Sequence, residues 1–302
     1  MAGITVNRAT LKHSLQEGIN AIVGSTFKSR PEQWKQLYKV EASDKAYETL
    51  VMRVGLGGAQ KKQEGGPISY DSGTDAWNYV IRHETWTLAF AITEEAIEDN
   101  LYGDIAKEYG AGLAISSMHT KEINCMIPLN YATDSNFLKG DGVTLLSTAH
   151  PLWYGGTYAN RPTTLSQLGE MPLVDAITTM SLWKNDRGIP MIIQPQSLNI
   201  HPSNWAVAQR LTMDDKRVGT ANNDSNVIKG LFKGVNQFHY LVNPNMWFID
   251  TDAEKGFLFF TKGGPKKGME GDFETGNIRY KYRERYSADV FNPRIIYGDP
   301  GA

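Results

Sequence analysis

The sequence has one cysteine, Cys125, in 302 residues. No disulfide can form within such a chain, and an all-cysteine metal site is excluded. No apolar run reaches the roughly 18 residues of a membrane span. The opening segment, M-A-G-I-T-V-N-R-A-T-L-K-H-S-L, lacks the apolar core of a secretory signal. These absences predict a soluble chain made in a reducing cytoplasm. An excess of either charge is also missing: Lys+Arg 31 against Asp+Glu 33 gives a net charge of -2. That excludes a surface that is basic all over but leaves room for a local basic patch.

The usual catalytic and cofactor motifs are missing too. There is no G-x-x-x-x-G-K-[ST] loop. G-L-G-G at 55–58 follows a strand-like run, but Q-K-K-Q-E-G-G-P after it does not open the helix whose N-terminus would hold a pyrophosphate. The histidines are His13, His83, His119, His150, His201 and His239, with no pair at metal-ligand spacing on one helix. No metal, cofactor or catalytic residue is therefore expected, and the chain is not expected to be an enzyme. Two residues keep an alternative open, because catalytic groups can meet only in space. His150 precedes Pro151, where a histidine serves catalysis or bonds a turn. Cys125 lies mid-helix among small residues, where a thiol is a nucleophile or an inert core group.

What is present is a core-forming composition, 41% hydrophobic, arranged as arms and ribbons around one long helix. That helix spans 93–127, with Thr93 as N-cap and Glu94, Glu95, Glu98 and Asp99 near its positive end. Gly103 is expected to break it and Pro128 to end it. Its apolar face is expected at Ile105, Tyr109, Gly112, Ser116, Ile123 and Met126. Its middle, G-A-G-L-A-I-S-S, is thin enough for another element to approach closely. Before it, residues 1–44 read as an arm, either a strap over another surface or a helix docked on its own domain, with a short helix through Leu11, Leu15, Ile19 and Ile22 capped near Asn7 or Thr10. Phe27, Trp34, Leu37 and Tyr38 follow as anchors.

Residues 45–92 form a ribbon of two strands, 47–54 and 77–92, joined by a flexible tip at 55–67. The tip carries Gly55, Gly57, Gly58, Lys61, Lys62, Gly65 and Gly66. The returning strand has two mixed faces, so the ribbon needs a surface to lie on. After an irregular 129–172, helices at 173–185 and 202–211 mix with strands at 191–194, 197–201, 235–242, 246–251 and 256–261 to give a compact α+β unit. Residues 263–268 read as a linker. The last element, 278–291, alternates strictly: Ile278, Tyr280, Tyr282, Glu284, Tyr286, Ala288 and Val290 face one way, and Arg279, Lys281, Arg283 and Arg285 the other. Such a row of cations needs carboxylates, water or phosphates opposite it. Ion pairs within or between subunits and the backbone of packaged DNA are its two candidate partners.

In this order the elements resemble the Hong Kong 97 (HK97-like) fold of tailed-bacteriophage major capsid proteins and encapsulin shells. L-L-S-T-A-H-P at 145–151, Q-P-Q-S-L-N-I-H-P-S-N-W at 194–205 and I-R-Y-K-Y-R-E-R-Y-S-A-D-V-F-N-P-R at 278–294 resemble Mu-like head subunits in particular. The resemblance implies an α+β fold with an N-terminal arm (1–44), an extended loop (45–92), a peripheral domain (93–172), an axial domain (173–269) and a return strand (270–302). It implies a major capsid protein that self-assembles into pentamers and hexamers around double-stranded DNA in a virion assembled in the host bacterial cytoplasm. Its partners would be copies of itself, DNA bound without sequence preference, and portal, decoration and separate scaffolding proteins. No long coiled-coil scaffolding segment precedes the arm, so any scaffolding that is needed would come from a separate protein or from a segment already removed. An encapsulin-like compartment is the alternative, and an α+β hydrolase using His150 or Cys125 a more distant one.

Overall fold

The structure is a computed structural model and describes residues 8–98, 102–216, 224–272 and 275–302. The arm opens with α1 (Arg8–Ser29), a helix of 22 residues that is longer than the sequence predicts. Its buried positions are Ile19 and Val23, with Leu15 and Phe27 partly covered, so the apolar stripe runs through Val23 rather than Ile22. Asn7 lies outside the described residues, and Thr10 lies inside the helix. A 3-10 turn (Gln33–Gln36) and β1 (Lys39–Ala42) complete the arm. The ribbon is β2 (Tyr47–Val54) and β3 (Thr74–Arg82), followed by β4 (Glu84–Ile92).

The predicted spine is two helices, α2 (Glu94–Glu98) and α3 (Tyr102–Asn130). Thr93 caps α2, its hydroxyl accepting from the Ala96 N–H at 3.3 Å. Asp99 lies outside the described residues, and Gly103 lies within α3 rather than at the break. Pro128 sits inside α3 instead of ending it, and the Tyr131 N–H still reaches the Ile127 carbonyl at 3.0 Å. The buried face also differs from the expected one. Ala106, Leu113, Ala114, Cys125, Met126 and Leu129 are buried, while Tyr109 and Ile123 are exposed. The small residues decide this phase. A methyl on Gly110 would stand 3.4 Å from Ile19 Cγ2, so α1 packs on α3 where α3 is thinnest.

β5 (His150–Pro151) and β6 (Thr157–Tyr158) make a small hairpin in the irregular stretch. α4 (Glu170–Ser181) starts before Pro172 and stops earlier than expected. Proline is tolerated in a first turn because its missing N–H would be unpaired there anyway. β7 (Pro195–Ile200), a 3-10 turn (Pro202–Asn204), α5 (Trp205–Met213), β8 (Gly234–Gln237) and β9 (Trp247–Thr251) follow. Met191-Ile-Ile-Gln194 forms no strand, and Ile192 is 92% exposed. β8 stops at Gln237 because the chain turns, the Leu241 N–H bonding the Phe238 carbonyl, and both side chains drop into the core. β10 (Phe257–Thr261), β11 (Lys266–Gly271), β12 (Ile278–Val290), a third 3-10 turn (Pro293–Ile295) and β13 (Ile296–Asp299) end the chain.

Two sheets organise these elements. The smaller has the order β13-β9-β7-β8, its core built from Leu173, Ala176, Met180, Leu198, Trp247 and Ile249. The larger is centred on β12. β4 pairs along one edge of β12, from Ile278↔Ile92 to Tyr286↔Glu84. β11 and β10 share the opposite edge, opposite 278–283 and 286–290 in turn, and β1 lies parallel to β10. Two expectations are corrected here. The predicted linker at 263–268 holds the start of β11, and β10 belongs to the β12 sheet rather than to the mixed α+β unit. Both misplacements have one origin: β10 and β11 are two lengths of a single path along β12, broken by a short excursion that reads as a linker.

Candidate assembly surfaces

Residues 77–92 were expected as one strand and are two, because the chain changes partner at His83. β3 pairs with β2, from Tyr47↔Arg82 to Val54↔Thr74, and β4 pairs with β12. The inward parity changes at the same point. Trp77, Tyr79, Ile81 and His83 are the more covered positions before it, and Trp86, Phe90 and Ile92 after it. His83 is buried between two hydroxyls, with Nδ1 2.9 Å from Ser287 Oγ and Nε2 2.9 Å from Ser43 Oγ. Burial lowers its pKa from the ordinary histidine value; Arg285 and Lys262 act the same way and Glu48 opposes them.

The base of the ribbon is seated on the body of its own subunit. Trp77 packs at a tilt against Phe291, ring centroids 4.8 Å apart, and lies over Gly140 so closely that no side chain fits there. The Tyr79 hydroxyl donates to Asp289, which also pairs with Lys139. Beyond this seat, residues 55–73 lie outside any strand. Arg187 binds the root of this tip, donating to the Gly55 carbonyl at 3.1 Å and the Ser72 carbonyl at 2.7 Å while stacking on Tyr154. Asp71 accepts from the Gly57 N–H at 2.7 Å, which together with Arg187 lowers its pKa. Gly55 and Gly57 thus belong to the root. Gly65 has φ 73° in a turn closed by the Gly66 N–H on the Gln63 carbonyl. Gly58 has nothing within 4 Å of its Cβ position, and Lys61 and Lys62 are exposed. Leu56, Ile68 and Tyr70, the last 92% exposed, give the tip an apolar surface.

The alternation of β12 matches expectation. Tyr280, Tyr282, Tyr286 and Val290 are buried on the side of α1 and α3. Glu284 on that side pairs with the buried Lys121 of α3 at 2.9 Å, and Glu32 stands 3.8 Å from the same ammonium. Glu122 accepts from the Gln33 and Trp34 N–H groups, fastening the arm to the spine, and burial raises its pKa against those bonds. On the other side, Arg279, Lys281 and Arg283 are exposed and Arg285 is half-buried. Arg279 pairs with Asp272; among the described residues the other three form no ion pair.

Both candidates for chemistry are buried. Cys125 is buried, and burial holds its thiol pKa well above the usual value. His150 is fully buried, with Nδ1 2.6 Å from Asp141 and Nε2 3.0 Å from Asn160 Oδ1, and it stacks on Tyr158. Asn160 donates in turn to the Leu145 and Pro293 carbonyls. This network ties the irregular stretch to the end of the chain. Neither residue lines the cleft of about 470 Å³ beneath the ribbon, which is bordered by Tyr79, Trp86, Asn124, Phe137 and Lys139. No group of acidic, histidine or cysteine side chains able to hold a metal occurs among the described residues. No helix among them is long and apolar enough to cross a membrane. Arg187 was missed because the N-D-R-G turn that carries it says nothing of its partners. The signal for His83 was there, in the mixed faces of the 77–92 run.

An arm bound to a spine, a ribbon with an exposed tip and two sheets are the main features of the described residues. A family model described as phage capsid protein matches residues 78–298. The chain belongs to that family and is a major capsid shell subunit. Many solved structures are similar to it, among them the following three. The capsid of the Cyanophage P-SCSP1u has a TM-score of 0.58 at 12% identity, covering 88% of this chain and 87% of that one. The procapsid of bacteriophage JBD30 has 0.53 at 14%, covering 97% and 75%. The holo-SrpI encapsulin complex from Synechococcus elongatus PCC 7942 has 0.52 at 9%, covering 90% and 88%. No curated protein matches the sequence. The fold is therefore the HK97-like capsid fold, as the sequence implied.

Proposed function

We propose that this subunit closes, as pentamers and hexamers, into an icosahedral phage head that encloses double-stranded DNA. The observation that carries this is the family match over 78–298, which spans the ribbon base, the spine and the return strand. In this reading residues 45–92 are the extended loop. Its tip, with Gly55, Gly57, Gly58, Lys61, Lys62, Gly65 and Gly66, lies over a neighbouring subunit, where repeated weak contacts add through multivalency. Residues 1–44 are the arm, 93–172 and 270–302 the peripheral domain, and 173–269 the axial domain, with the two strands β10 and β11 reaching back into the peripheral sheet. Lys281, Arg283 and Arg285 face the packaged DNA or an acidic neighbour. Portal, scaffolding and decoration proteins complete the particle in the host bacterial cytoplasm, and the subunit itself runs no reaction.

The encapsulin-like fold similarity supports a second reading, a compartment loaded with a cargo enzyme. Particles from an infected or induced host separate the two. Nuclease-protected DNA of defined length supports the head. A stoichiometric protein cargo without DNA sinks it. Deleting residues 55–66 tests the role of the tip: subunits that fold but no longer close into regular shells are expected, and normal shells would remove the tip from assembly.

A further inference from the structure

The path beside β12 is interrupted at Lys262-Gly263-Gly264-Pro265. Gly263 and Gly264 have φ of 71° and 65°, a conformation other residues rarely adopt, so the excursion is built into the sequence. The ladder is intact on either side. The Lys262 N–H donates to the Arg285 carbonyl at 2.9 Å, and Lys266 stands opposite Arg283. Between them the excursion leaves a hollow of about 120 Å³ lined by Lys262, Gly264, Lys266, Arg283 and Arg285. Every charged side chain in that lining is a cation. None of the four forms an ion pair among the described residues, whereas Arg279 further along β12 has Asp272 and Glu284 on the opposite face has Lys121. Lys262 Nζ is held in place by the Lys45 carbonyl at 2.7 Å. Arg285 Nε is enclosed and meets no acceptor in the protein.

Four cations converging on one small hollow repel each other, and an enclosed guanidinium N–H without an acceptor is costly. A single carboxylate offers one charge and two oxygens to this set. Free phosphate offers up to two charges and a tetrahedral array of oxygens, a backbone phosphodiester one charge on two tetrahedral oxygens that several cations can share, and the guanidinium fork suits both. The hollow of about 120 Å³ has room for one such group. We propose that Lys262, Lys266, Arg283 and Arg285 form a binding site for a phosphate group, supplied either by inorganic phosphate or by a nucleic-acid backbone. The nucleic-acid source rests on the proposed DNA-facing role of Arg283 and Arg285, whereas the site itself rests on the cation geometry alone.

The test is calorimetric titration of the purified full chain, in a zwitterionic buffer at fixed ionic strength, with inorganic phosphate and separately with a short thymidine oligonucleotide. Saturable phosphate binding is expected, weakened about tenfold or more in R283Q/R285Q. It should be largely kept in R283K/R285K and unchanged in K39Q. If R283Q/R285Q does not fold, K266Q on the exposed edge is expected to weaken binding several-fold. When the backbone is the source, the oligonucleotide binds, phosphate competes with it, and the double variant loses both. When free phosphate is the source, phosphate binds and the oligonucleotide does not. Absence of saturable phosphate binding overturns the proposal, as does binding unchanged in a folded R283Q/R285Q. A polyglutamate peptide that binds where phosphate fails overturns it too.

Discussion

Replacing Gly140 with alanine tests whether the ribbon is seated by Trp77. The new Cβ would stand 2.1 Å from Trp77 Cε3 and 2.3 Å from Cζ3, so something must move. The ring cannot retreat easily, because Phe291 lies at 4.8 Å. The loop is held by the Lys139 N–H on the Val143 carbonyl at 2.7 Å and the Gly142 N–H on the Lys139 carbonyl at 2.9 Å. Gly140 is not among the positive-φ glycines, so alanine brings no backbone strain of its own. Overpacking of this kind costs about 1–3 kcal/mol. Urea unfolding of dissociated subunits, followed by tryptophan fluorescence and circular dichroism, would measure it for G140A, W77A and the pair. With the ring gone the alanine has space, so G140A in the W77A background should cost less than about 0.5 kcal/mol. An equal penalty in both backgrounds would place the strain in the loop itself. A G140A penalty below about 0.5 kcal/mol in the native background would refute the seat outright.

Other groups give shorter tests. Cys125 is buried with a raised pKa, so iodoacetamide at pH 8 should leave the native protein unlabelled and modify it fully in urea; native labelling would contradict the core role. His83 has a lowered pKa in the fold, so the unfolded chain binds the extra proton first. Its contribution is whole above about pH 6.5 and declines as pH falls toward the folded pKa, by at most about 1.4 kcal/mol per pH unit. H83N should flatten that part of a melting-temperature profile between pH 5 and 7.5. Lys121→Met leaves the partly buried Glu284 without its cation and should cost up to about 3–5 kcal/mol in urea unfolding. Adding E284Q should recover much of that loss.

Some parts of this fold are legible in the sequence and others are not, for physical reasons. β2 is bounded by turn residues, and β12 keeps a period of two over 13 residues because one face lies on helices and the other carries cations. Those signals are local. The phase of α3 is not local: it is fixed by α1 crossing at Gly110, and it leaves the apolar Tyr109 and Ile123 largely exposed. The change of partner at His83 leaves no gap in β propensity, so two strands read as one. β10 and β11 are divided by two glycines and a proline that signal a linker, although β12 holds both lengths in one ladder. The basic row was visible as alternation, but the hollow beside it needs Lys262 and Lys266 from the facing path, which spacing within β12 cannot place.

The central claim is that these surfaces exist to join copies of the chain. Electron microscopy of the purified protein, with sedimentation velocity on the same sample, addresses it directly. Closed particles of uniform diameter, sedimenting as one large species, are the predicted result. A chain that stays a monomer from micromolar to near-millimolar concentration, with its ribbon tip protected against proteolysis by its own body, would contradict it.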